Sequence, residues 1–280
     1  MSGITSWEGA WVEPYSKRHL GYRFWRPSSV HRLVVMIHGF GEHGGRYEEF
    51  ARGLAEEGIA VGAADLLGHG RSDGRRGDVE RIDDYVKHTE AIAREVFLPE
   101  SGQARYVLFG HSFGGLAAIL LAMTSPPDLQ AVVVQSPLLE AGFPIPRWKT
   151  VAAAWLAGWW PTYSFSMNLD TSALSHDPRV VEAYRADPLV HNVMSARTYG
   201  AIFRARDAAL EGATGLRVPV LLLSGAEDRI VSLEASQRWF ERLRCEKRFV
   251  LFPGSYHELH HEAARDEVVR LVREWALAHG

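Results

Sequence analysis

Three residue types that can split an ester or amide occur in the order Ser112, Asp228, His257, each just beyond a run of apolar residues. A serine hydroxyl is a poor nucleophile at neutral pH and needs a base that is itself oriented by a third group. Ser112 lies in Gly110-His111-Ser112-Phe113-Gly114, a G-x-S-x-G motif. The apolar Tyr106-Val107-Leu108-Phe109 precedes it, and the helix-forming Leu116–Ala122 follows. That order suits a sharp strand-to-helix turn that lifts the hydroxyl clear of a sheet, with small residues where the backbone is crowded. Asp228 follows the turn at Gly225, and His257 sits in Gly254-Ser255-Tyr256-His257. The spacing assigns Ser112 as nucleophile, His257 as general base and then acid, and Asp228 as the group that fixes the imidazole tautomer. Asp65 also ends an apolar run, but it precedes the serine and ranks behind Asp228. The expected oxyanion donors are backbone amides, that of Phe113 after the nucleophile and that of Phe40 in the His38-Gly39-Phe40 loop.

These residues need a sheet to bring them together. The continuous apolar run Leu33–Ile37 reads as a strand covered on both faces, and Ala60–Asp65, Tyr106–Phe109, Ala131–Gln135, Val218–Ser224 and Arg248–Phe252 read as further strands. Helical patterns at about 47–57, 82–97, 116–122, 233–243 and 260–278 alternate with them. Residues Ile82, Tyr85, Val86, Thr89, Ile92, Ala93 and Val96 are spaced for one apolar face. A hairpin with strands near Trp11–Glu13 and Gly21–Trp25 comes first. Between about 139 and 205 the alternation stops. The expected fold is α/β, a mostly parallel doubly wound sheet with an inserted helical cap. Its core comprises residues 1–138 and 206–280, and the cap 139–205. Loops holding Phe40, Ser112, Asp228 and His257 all emerge at the carboxyl ends of strands, where such sheets place their chemistry.

A chain of 280 residues that is 46% hydrophobic can bury a full core. A net charge of −3 gives no electrostatic case for a nucleic-acid partner. The single cysteine, Cys245, rules out an internal disulfide framework and leans towards a reducing, cytoplasmic compartment. Neither a leader-like segment nor an apolar run of transmembrane length is evident. No cofactor or metal is expected. His257-Glu258-Leu259-His260-His261 does match H-E-x-x-H, but that zinc motif must lie on one helix, and Pro253-Gly254 put its first histidine in a turn. A non-catalytic receptor on the same scaffold would typically lack a member of the triad; all three are present.

Taken together, several motifs resemble the monoglyceride lipase/lysophospholipase family of α/β-hydrolases. They are His38-Gly39-Phe40-Gly41-Glu42-His43-Gly44-Gly45-Arg46-Tyr47, Gly68-His69-Gly70-Arg71-Ser72, Gly110–Gly115 and Ser136-Pro137-Leu138, then Asp187-Pro188-Leu189-Val190, Ser224–Asp228 and Gly254–Leu259. The resemblance runs from about residue 33 to 278. It implies a serine hydrolase that cleaves the ester of a single acyl chain on glycerol through an acyl-enzyme. It also implies that Glu42, Arg46, His111 and Tyr184 line the pocket for the alcohol. Lysophospholipase, short- to medium-chain carboxylesterase and N-terminal-proline peptidase are the alternatives, the last disfavoured by the lack of an acidic cluster in the cap. The cap itself departs from the family. Trp148, Val151–Ala154, Trp155, Leu156, Trp159 and Trp160 form a stretch apolar on nearly every side, holding four of the nine tryptophans. A helix of that kind is buried or lies against lipid. Trp155 is expected to line the acyl tunnel, and Trp159 and Trp160 to make transient contact with a membrane or micelle.

Overall fold

The structure, a computed structural model, describes residues 3–143 and 155–279; Trp148 and Val151–Ala154 lie outside them. Strands β1 (Ile4–Val12), β2 (His19–Pro27), β3 (Arg32–Ile37), β4 (Ile59–Ala64), β5 (Tyr106–His111) and β6 (Leu129–Gln135) precede the insert. The short β7 (Ser164–Ser166) and β8 (Val193–Ser195) lie within it, and β9 (Val220–Gly225) and β10 (Lys247–Phe252) follow it. Eight strands form one sheet in the order β1-β2-β4-β3-β5-β6-β9-β10. The β1–β2 hairpin is antiparallel and joins antiparallel to β4, while the remaining pairs are parallel. The hairpin strands are longer than their sequence signal, because Tyr22–Trp25 find a ladder on Val61–Ala64.

Helices α1 (Glu48–Glu56), α2 (Ile82–Ile92), α3 (Leu98–Ser101), α4 (Phe113–Met123), α5 (Pro178–Ala186), α6 (Ala196–Gly212), α7 (Leu233–Arg242) and α8 (Arg265–Ala278) complete the ordered elements named here. The period-2 pleat sorts each central strand between two cores. Val34, Met36, Val107, Phe109, Leu221 and Leu223 pack under α1 and α8. Leu33, Val35, Ile37, Leu108, Leu222 and Val132 pack under α2, α4, α6 and α7. Burial on both faces is why these strands read as unbroken apolar runs.

The helix expected over 82–97 is regular only to Ile92 and widens to a π-type turn over Ala93–Phe97. Pro99 has no N–H to donate one turn back, which leaves the ladder slack at this point. The extra residue swings Phe97, rather than Val96, fully into the core. There its ring lies 5.8 Å from Phe24, over a strand position that Gly62 leaves open.

Between β6 and β9 no described residue joins the large sheet. The segment contains the antiparallel β7–β8 ribbon, α5 and the start of α6. Helix α6 runs unbroken through residue 205, so the return from cap to core is made by one continuous helix buried through Ala201, Ile202, Ala205 and Ala209. Among the described residues no helix is long and apolar enough to cross a membrane.

Candidate active site

Strand order reverses at β3 and β5: the chain places β4 on one side of β3 and then returns to lay β5 on the other. The carboxyl ends of these two strands lie side by side, with Ile37 opposite Gly110. Such a switch point opens a crevice, and the loops that leave it are the oxyanion loop and the serine turn.

Ser112 has φ 53° and ψ −117°, a strained conformation for a residue with a Cβ. The surroundings impose it. A Cβ on Gly110 would collide with the Gly114 carbonyl, and one on Gly114 with the carbonyls of Ile37 and His38. Only glycines let the helix start this close to β3. Ser112 caps α4, and its amide donates to the Gln135 carbonyl at 2.9 Å. Phe113 supplies the first amide of the helix, a donor without an intrahelical acceptor. Phe40 lies against it, with ring centroids 5.5 Å apart. The structure thus brings both residues expected to form the oxyanion hole together beside Ser112.

Asp228 follows β9 and His257 follows the edge strand β10, its neighbour in parallel register. His257 Nδ1 donates to Asp228 Oδ2 at 2.7 Å, and both side chains are almost wholly buried. Asp228 Oδ1 accepts the amides of Ile230 at 2.8 Å and Val231 at 3.1 Å. Burial works against the charge of Asp228, but the neighbouring His257 and these hydrogen bonds outweigh it and hold the carboxyl below its ordinary range. Burial likewise works against a charged His257, yet Asp228 prevails and the imidazole titrates above its ordinary value. With Nδ1–H committed to Asp228, the lone pair on Nε2 is the base. Asp65 is engaged elsewhere. Its oxygens accept the amides of Gly44 at 2.8 Å and Arg71 at 2.9 Å, joining two loops.

Ser112 and His257 share one cavity of about 1020 Å³. At one end stand Glu42, His111, Tyr184 and Glu258; Leu156, Phe165, Met194, Ile202 and Phe203 are among the apolar residues that line the remainder, with Glu140 and Arg206 also in the wall. Gln135 Nε2 lies 3.0 Å from His111 Nδ1 and 2.8 Å from His260 Nδ1. A donor at Nδ1 leaves the proton of His111 on Nε2. Burial, with His257 close by, pushes His111 down to about 3, so it is neutral.

Arg46 is the expected pocket residue that does not reach the cavity wall. Its guanidinium stands behind the wall, paired with Glu42 and gripping Glu258 at 2.6 and 2.8 Å, and lies 4.6 Å from the Tyr184 ring centre. Glu42 Oε1 accepts the Gly39 amide at 2.6 Å and the Tyr47 hydroxyl at 2.7 Å. Glu42 therefore braces the oxyanion loop from beneath while its other oxygen, Oε2, keeps a free lone pair. Trp155 is also displaced from its expected place. It stands 63% exposed and stacked on Trp159 at 5.6 Å, and its neighbour Leu156 lines the cavity.

The H-E-x-x-H match does not form a helix, since Leu259–His261 is a single 3₁₀ turn. Donor atoms of Glu258, His260 and His261 lie within 4.8 Å of one another. Arg46 holds both oxygens of Glu258, and His261 bridges Glu258 at 2.7 Å to the Arg46 carbonyl at 2.8 Å. Sequence reasoning missed Glu258 and Gln135. Their one signal was adjacency, Glu258 to His257 and Gln135 to the end of a strand.

The serine aminopeptidase, S33 family model matches residues 28–264, which span Ser112, Asp228 and His257 and both expected oxyanion amides. A monoacylglycerol lipase of Mycolicibacterium smegmatis is 31% identical over 92% of this chain and 92% of its own length. The human monoglyceride lipase is 32% identical over 88% of this chain and 82% of its own. The crystal structure of a Paleococcus ferrophilus monoacylglycerol lipase, 34% identical, superposes with a TM-score of 0.84 over 94% of this chain and 99% of that one. By sequence, by sheet topology and by the arrangement around Ser112, this chain belongs to the serine aminopeptidase S33 family of α/β-hydrolases, alongside its monoglyceride lipases, and is a carboxylic ester hydrolase.

Proposed function

We propose that this enzyme hydrolyses monoacylglycerol to glycerol and a fatty acid through an acyl-enzyme. The cavity carries the reading. It gathers polar groups near Ser112 and is largely apolar elsewhere, with Glu140 and Arg206 also in its lining, a character that suits two hydroxyls and one acyl chain. The free lone pair of Glu42 Oε2, the His111 Nε2–H and the Tyr184 hydroxyl supply an acceptor, a donor and a group that is either. The relatives named above support the same substrate. Charge argues against the lysophospholipid alternative. Glu42 and Glu258 outnumber Arg46, whose guanidinium is already held by both, so a phosphodiester would meet excess negative charge at that end.

The steps follow from the groups in place. Ser112 Oγ attacks the ester carbonyl as His257 Nε2 takes its proton, and the amides of Phe40 and Phe113 receive the developing oxyanion. His257 then protonates the departing glycerol alkoxide. Water enters, gives its proton to His257 and attacks the acyl-Ser112 carbonyl. The ester bond to Ser112 breaks, Ser112 regains the proton and the fatty acid leaves. Asp228 stays ionised and holds the imidazole orientation throughout.

The substrate arrives from an aggregate. Trp159 at 78% exposure, Trp160 at 61% and Tyr163 stand near the apolar arm, which Leu156 and Tyr163 line. These rings make transient contact with a membrane or micelle surface, and the enzyme works peripherally in the cytoplasm. A panel of monoacylglycerols, lysophosphatidylcholine, p-nitrophenyl esters and a proline arylamide, with Ser112→Ala as the blank, tests the assignment. Monoacylglycerol should have the highest kcat/KM; preference for lysophosphatidylcholine or the arylamide would overturn it.

A further inference from the structure

His43 and Asp187, 144 residues apart, each belong to a sequence motif but take no part in the chemistry described above. His43 lies just past the oxyanion loop, and Asp187 ends α5 in the cap. Their side chains meet: His43 Nε2 is 2.9 Å from Asp187 Oδ2, with His43 buried. His43 Nδ1 accepts the Gly45 amide at 3.1 Å, so the ring is a donor at Nε2. Asp187 Oδ1 accepts the Leu189 amide at 2.8 Å. Every polar atom of the pair is therefore directed.

A second tie runs beside it. The His191 amide of the cap donates to the Gly41 carbonyl at 2.8 Å. Gly41 has φ 82°, and a Cβ there would collide with the His191 carbonyl. Cap and oxyanion loop thus touch backbone to backbone, one residue after Phe40. Through Gly45, His43 also caps the turn Gly44–Tyr47. That turn carries Arg46 and Tyr47, which hold Glu42, which holds the Gly39 amide. A short relay of hydrogen bonds leads from the cap to the peptide beside the Phe40 N–H.

We propose that His43 and Asp187 are a positioning pair through which the seated cap sets the oxyanion amide of Phe40, so that cap docking governs the chemical step as well as substrate binding. The pair acts through the loop and does not touch the substrate. This inference rests on serine ester hydrolysis, but not on the identity of the alcohol.

The test uses the full-length enzyme, p-nitrophenyl butyrate and a fluorophosphonate, whose reaction with Ser112 also develops an oxyanion. In Asp187→Asn the amide oxygen is still needed by Leu189, so an N–H would face the His43 N–H and the tie is lost without loss of the turn. A displacement near 1 Å at a reacting centre costs up to about 100-fold. Asp187→Asn and His43→Ala should each lower kcat by about 10- to 100-fold with KM within about twofold. Phosphonylation should slow by the same factor, and the double variant should be no slower than the worse single. A folded Asp187→Asn with unchanged kcat would overturn the proposal, even with a lowered Tm. So would additive losses in the double variant, or failure of both singles to fold, which would make the pair a stability element. A wild type active on the butyrate ester but inert to monoacylglycerol would remove the substrate assignment and leave this one standing.

Discussion

At the scale of the residue, the Asp228–His257 hydrogen bond sets the pH response. The free enzyme needs neutral His257, and Asp228 raises the imidazole above its ordinary value despite burial. In the wild type kcat/KM should therefore rise with pH through a midpoint above about 6.5, the ordinary imidazole value. Asp228→Asn removes the charge that stabilises the imidazolium, so its midpoint should move to lower pH while kcat falls about 10⁴-fold. A pH–rate profile of both proteins decides it; an unmoved midpoint would show that another group titrates. Tyr184 offers a second test at this scale. It lines the cavity while its ring lies against Arg46. Tyr184→Phe keeps that stacking and removes only the hydroxyl, so monoacylglycerol should lose about 1–3 kcal/mol of transition-state binding while a p-nitrophenyl ester loses little. Equal losses on both would assign Tyr184 to cap packing.

At the scale of the element, the turn between β5 and α4 works because it is crowded. Gly114 lies against the carbonyls of Ile37 and His38, the last residue of β3 and the first of the oxyanion loop. Gly114→Ala would push β3 and α4 apart at the point where Phe40 and Phe113 must both reach one oxygen. Overpacking of this kind costs about 1–3 kcal/mol. We expect a Tm lower by several degrees, at about 2–4 °C per kcal/mol, and kcat reduced at least tenfold even well below the melting range. Thermal unfolding and steady-state kinetics on the same preparation separate the two effects. Wild-type kcat in Gly114→Ala would show that the helix can shift without disturbing the oxyanion loop. The G-x-S-x-G pattern was legible because it is one short contiguous motif and the exclusion at Gly110 acts within it, against the Gly114 carbonyl; that at Gly114 comes from Ile37 and His38, at the end of another strand. The π-type turn at Ala93–Phe97 was not, since the pull on Phe97 comes from Phe24 and the space above Gly62 on other strands.

At the scale of the whole molecule, the proposed contact with a lipid aggregate rests on the tryptophans exposed beside the cavity. Each methylene of an acyl chain carries about 0.8 kcal/mol of transfer free energy, so a chain leaving an aggregate needs an apolar surface that leads into the apolar arm. Trp159→Ser/Trp160→Ser should weaken binding to liposomes and slow hydrolysis of aggregated long-chain monoacylglycerol several-fold, leaving a soluble short-chain ester nearly unaffected. Liposome flotation and the two rates check this. Equal slowing of both substrates would place the tryptophans in the packing of the cap. Their high exposure already makes them poor candidates for core.

What the sequence determined by itself was the sheet, the chain order of the triad and the turn that carries Ser112. These depend on local patterns: apolar runs long enough to be strands buried on both faces, and glycines where a helix must start against a strand. Proximity along the chain carries that information. The partners of the charged residues were decided only by the tertiary structure. Arg46 has the chemistry of a substrate ligand, yet Glu258, 212 residues away, draws it behind the cavity wall. Trp155 has the hydrophobicity of a tunnel residue, yet Leu156 takes that place. His43 and Asp187 gave no sign of each other. A buried ion pair or a cap contact depends on which distant surfaces the fold presses together, and desolvation then selects the one arrangement that leaves the fewest charges unpaired. No single stretch of the chain encodes that choice.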